Sequence, residues 1–75
     1  MLATPRAITD SFVVLTKATL RAAEQLGLSN AQLAEVIGVS GATASRLKSG
    51  DRAIDPSTKE GELALMLIRL FRSLD

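Results

Sequence analysis

A chain of 75 residues makes one small domain with a marginal core, and its formal net charge of +1 is too slight to imply a nucleic-acid partner by itself. It has no Cys, which excludes a disulfide framework and a thiolate metal site, and no His, which removes the commonest general base and metal ligand. Ser, Lys and carboxylates remain, but none is spaced as a nucleophile with its base. The chain therefore reads as a non-enzyme, without metal or cofactor. MLATPRAITD lacks the apolar core and cleavage site of a signal peptide, and the longest unbroken apolar run, Leu63 to Ile68, is far short of a membrane span. A cytoplasmic protein is expected.

Residues 1–9 read as a loosely ordered lead-in, with Pro5 opening at most a loose turn. Thr9 or Asp10 caps a first helix running to about Leu26. Phe12, Leu15, Thr19, Ala22 and Leu26 recur at three- and four-residue intervals and make its inward stripe. Gly27 supplies a left-handed stop. Ser29 with Gln32 three residues on has the form of a capping box, and Leu33, Ala34 and Ile37 make one face of a second helix ended by Gly38. Ser40 caps a third helix over Gly41 to Ser49, with Ala44 and Leu47 inward and Gly50 as its stop. In the loop from Asp51 to Pro56 the one large apolar residue, Ile54, is expected to plug the underside of the core. Asp55-Pro56 and Ser57-x-x-Glu60 announce a last helix from about Ser57 to Leu74. Gly61 inside it is expected to cost up to about 1 kcal/mol relative to Ala. The architecture is all-α, with four helices and a fifth allowed, and residues 1–75 form one domain.

Neither the second nor the third run would hold as an isolated helix, because helices under about 12 residues are marginal in water. Their joint spacing is that of a helix-turn-helix. Ala34 is small where backbones cross, Gly38 tolerates the turn, Val39 after it is apolar, and Ala44 and Leu47 are three apart. The outward face of the third helix is then Gly41, Ala42, Ser45 and Arg46, small and polar with one cation. A merely structural helix usually carries several long charges there. A small face suits a helix entering a DNA major groove about 12 Å wide, where Arg46 would reach guanine and the methyls of Ala42 and Thr43 would meet thymine. Ser29 and Asn30 at the start of the second helix, with Ser40, Lys48, Ser49 and Arg52, are the candidate phosphate contacts. Taken singly, each of these residues is better explained by capping, chain termination or ordinary solvation, and only their joint spacing points to the motif.

LSNAQLAEVIGVSGATASRLKSGDR resembles the helix-turn-helix of Xre-type, lambda-repressor-like proteins. The continuation AIDPSTKEGELALMLIRLFRSLD, with Asp55-Pro56 and Lys59-Glu60 leading into a Leu- and Arg-rich helix, is similar to the N-terminal domain of Xre/MbcA/ParS antitoxins, the partners of RES-domain toxins. The resemblance covers about Ala18 to the end. It implies a bacterial repressor that binds duplex DNA at its own promoter, associates with the nucleoid when bound, dimerises, and holds a RES-domain toxin through a further C-terminal domain. The sequence ends at Asp75, where that domain should begin, so the chain is expected to be a fragment or a shortened relative without it. DNA binding carries over onto Asn30, Ser40, Ala42, Thr43, Ser45 and Arg46.

In the last helix Leu63, Leu67, Leu70, Phe71 and Leu74 make a core stripe, with Leu65, Met66 and Ile68 around its sides. A mean hydropathy of +0.23 is high for so short a chain. Either that helix is central and buried all round, or Leu65, Met66 and Ile68 form a surface for a second copy or another partner. A two-fold dimer would set two recognition helices about 34 Å apart and read a palindromic operator. Two alternatives stand beside an autorepressing antitoxin: a toxin-neutralising interaction module with minor DNA binding, and a phage-type Xre repressor unconnected to a toxin.

Overall fold

The computed structural model describes residues 10–74. Four helices follow in chain order: α1 (Asp10–Gln25), α2 (Asn30–Ile37), α3 (Gly41–Ser49) and α4 (Lys59–Ser73). The fold is thus all-α with four helices, and the expected lead-in lies outside the described residues. α4 packs on α1 and on α2, while α2 packs on α3.

Local chemistry sets most boundaries. Gly27, Gly38 and Gly50 all take positive φ, and no other described residue does. Each stop falls where glycine alone adopts the left-handed conformation without strain. The core comes from all four helices: Leu15, Ala22, Leu33, Ile37, Leu47, Ala64 and Leu67 are buried together with Ile54 from the loop. Ile54 is fully enclosed, as expected of a plug. Its backbone N–H donates to Thr16 Oγ1 at 2.7 Å, and the same hydroxyl donates to the Phe12 carbonyl at 2.7 Å. A buried amide is thereby satisfied. The inward face of α1 is wider than the stripe foresaw, since Thr16 and Ala23 are buried too, whereas Phe12 and Leu26 are only half-buried.

The start of α4 differs from the sequence expectation. Ser57 is not its cap. Its backbone N–H and hydroxyl both donate to Asp55 Oδ1, at 2.9 and 2.7 Å, and these bonds hold the Asp55 carboxyl below its usual pKa. Thr58 is the cap, accepting from the Gly61 N–H at 3.2 Å. Nor is Gly61 a mere propensity penalty. A Cβ there would run into the Asp55 carbonyl oxygen and lie 2.8 Å from Pro56 Cα. The loop passes directly over the helix, and only glycine allows it.

The far half of α4 also departs from the stripe. Gly61, Ala64 and Leu67 are buried and Leu63 and Phe71 half-buried, but Leu70 is 55 % and Leu74 67 % exposed. Fifteen residues of α4 span about 22 Å, whereas the eight of α2 cover about 12 Å, so the end of α4 outruns its partner.

Candidate nucleic-acid interface

The α2–turn–α3 unit is built by reciprocal caps. Ser29 Oγ accepts from the Gln32 N–H at 3.1 Å and Gln32 Oε1 accepts from the Ser29 N–H at 2.8 Å, completing the capping box. At the turn Gly38 has φ 75°, and the Val39 N–H donates to the Ala34 carbonyl at 2.9 Å. Ser40 Oγ accepts from the Thr43 N–H at 3.1 Å and donates to Thr43 Oγ1 at 3.0 Å. Leu63 of α4 reaches this turn: a Cβ at Gly38 would sit 3.4 Å from its Cδ1. With Ala34, Ala44 and Leu47 buried, the two short helices are fixed at one angle by packing.

That angle presents one bare face. Gly41, Ala42, Ser45 and Arg46 are exposed, as are Lys48 and Ser49, while Thr43 is half-buried. Among the described residues Arg46 has no ion-pair partner. Its guanidinium stands beside small side chains that let a surface come close.

A model of the family described as "Antitoxin Xre-like helix-turn-helix domain" matches residues 14–69, most of the chain. The chain belongs to that family. None of the curated proteins compared with this Xre-like domain matches it. The family is one of DNA-binding, non-catalytic helix-turn-helix domains, so the partner is DNA and the chain is not an enzyme. Among the described residues no helix is long and apolar enough to cross a membrane, and no acidic cluster is suited to a metal.

The other candidate phosphate contacts of the Xre-like domain divide into two groups. Ser29, Asn30 and Lys48 come together around one open depression of about 790 Å³, although they belong to different helices. Two cations of α1, Lys17 and Arg21, border it as well, with Glu24. Sequence reasoning passed over that pair. Their four-residue spacing on the outward side of α1 was the available signal. The second group, beyond α3, is already engaged within the chain. Ser49 Oγ lies 3.1 Å from both the Arg46 carbonyl and Asp51 Oδ2, and its single proton is shared between these two acceptors. Arg52 Nη2 donates to Glu60 Oε1 at 3.0 Å, across the loop to the start of α4. Ser40, too, spends its hydroxyl on Thr43.

Of the expected partner surface, Leu65 and Met66 are exposed and Ile68 is half-buried. Met66 follows Leu63 and precedes Leu70 at helical spacing, on the edge of α4 nearer Gly38. Leu65 and Ile68 line hollows shared with α1.

Proposed function

We propose that this domain is the operator-binding part of an antitoxin that represses its own toxin–antitoxin operon. It reads duplex DNA with α3 in the major groove. Arg46 hydrogen-bonds a guanine edge, Ala42, Thr43 and Ser45 lie against neighbouring bases, and Ser29, Asn30 and Lys48 hold the backbone, joined by Ser40, Ser49 and Arg52 where these release their present partners. The observation that carries this reading is the face of α3, which is exposed, small, and furnished with one arginine that has no ion-pair partner among the described residues. Ser29 takes the Gln32 amide at the start of α2, and the Asn30 and Ala31 amides beside it, which have no acceptor within the helix, favour phosphate. Two copies pair through the open apolar edge of α4, where Met66 is 61 % exposed, and so read a palindrome. The resemblance to Xre/MbcA/ParS antitoxins supports a RES-domain toxin as the protein partner. The test is a gel shift with duplex DNA from just upstream of the gene's own start codon, against a shuffled duplex of the same length. Retarded native duplex at protein concentrations that leave the shuffled one free supports the reading, and equal retardation of both sinks it. For the dimer, Met66→Glu should sediment as a folded monomer and bind the operator more weakly.

A further inference from the structure

Between α1 and α4, away from the face of α3, run two hollows of about 380 Å³ each that share Val14, Ala18, Ile68 and Arg72. Their floor is apolar: Val14 is 66 % exposed, and Ile68 and Phe71 are half-buried. Their rim is cationic, with Lys17 and Arg21 on one side and Arg72 on the other, and among the described residues no Asp or Glu lines either hollow. The chain as a whole is nearly neutral, at +1, so this charge is local. The acids of α4, Glu60 and Glu62, sit in its first turn at the opposite end from Arg72.

We propose that this groove receives an acidic amphipathic helix of another protein, apolar side down, with its carboxylates on the Lys17, Arg21 and Arg72 rim. Val14 to Arg21 spans about 10 Å of α1, enough for apolar anchors of a docked helix one to two turns apart, one in each hollow. A second copy is the poorer occupant. A two-fold contact through the groove would set each cation against the same three of its partner. The proposal is independent of the DNA reading, except that Lys17 and Arg21 stand on the ridge between this groove and the depression beside α2.

The test uses the purified chain, 15N-labelled, and two synthetic helical peptides. Both carry Leu at positions i, i+3 and i+7; one has Glu on the flanks, the other Lys in their place. The acidic peptide should bind at least about tenfold more tightly, as three exposed ion pairs would give, and should shift amides of α1 and α4 alone. Val14→Glu, a change at an exposed position, should keep the circular-dichroism spectrum and abolish that binding. Equal affinity for the two peptides, no binding, or full binding by Val14→Glu each overturns the proposal. So does a parent dimer that Val14→Glu converts to monomer, since the groove then belongs to a second copy. Loss of duplex binding in Lys17→Glu/Arg21→Glu, with no peptide bound by the parent, would assign the rim to DNA instead.

Discussion

Arg46→Ala separates a guanidinium that reads bases from one that merely sits in solvent. The side chain is exposed and, among the described residues, has no ion-pair partner. What α3 contributes to folding comes from Ala44 and Leu47 and from backbone bonds such as Asp51 N–H to the Arg46 carbonyl at 2.9 Å, which alanine retains. The substitution should therefore change stability by less than about 0.5 kcal/mol. On the operator it removes a bidentate contact worth about 1–3 kcal/mol, a loss of about 5- to 150-fold in affinity. Most of that loss should vanish on unrelated duplex, because the contact made there is only electrostatic. Fluorescence anisotropy at fixed salt, on the operator and on variants changed one base pair at a time, measures both quantities. Preference should relax at a single position. A variant that binds the operator with parental strength, or loses affinity equally for every duplex, would refute the docking of α3.

Glu60→Gln releases Arg52 from its ion pair. If Arg52 reaches phosphate, the variant should bind all duplexes up to about fivefold more tightly and with a steeper salt dependence, while an unchanged salt slope removes Arg52 from the contacts. Gly61→Ala gains up to about 1 kcal/mol of helix propensity but drives a methyl into the Asp55 carbonyl and Pro56 backbone. Overpacking of about 1–3 kcal/mol should win and lower the urea midpoint, and a raised midpoint would show that the loop moves aside freely. The Asp55 carboxyl, held low by Ser57, stabilises the fold when ionised. Its contribution is present above the unfolded value of 3.8 and is lost as pH falls through the lower folded value. Urea midpoints of parent and Asp55→Asn should accordingly differ at neutral pH and converge in acid, and a gap that persists would refute the carboxylate's role.

What the sequence made legible was local. The stops at Gly27, Gly38 and Gly50, the capping box at Ser29 and the cap at Ser40 depend on neighbours within four residues, and each stands where expected. The inward pairs Ala34 with Ile37 and Ala44 with Leu47 follow from helical period alone. What was not legible depends on distant chain. Ser57 and Thr58 are equally good caps in isolation, and the Asp55 turn decides between them. Gly61 looks like a weakness until the loop above it is seen. Leu70 and Leu74 continue an apolar stripe that no other described residue covers, because α2 is short. In the candidate site, the exposure of Arg46 and its small companions was readable from periodicity. The pairing of Arg52 with Glu60, and the convergence of Lys17 and Arg21 toward Asn30 and Lys48, required the tertiary arrangement.

The hydrogen bond from Ile54 to Thr16 joins residues 38 apart in sequence and seats the loop leaving α3 on α1. With Leu63 wedged against the opposite end of α3's approach, the reading head is clamped fore and aft. Such a head has little compliance of its own, so any mismatch in curvature must be absorbed by the double helix. Sites with easily deformed steps between the touched bases should then be favoured even where no side chain meets them.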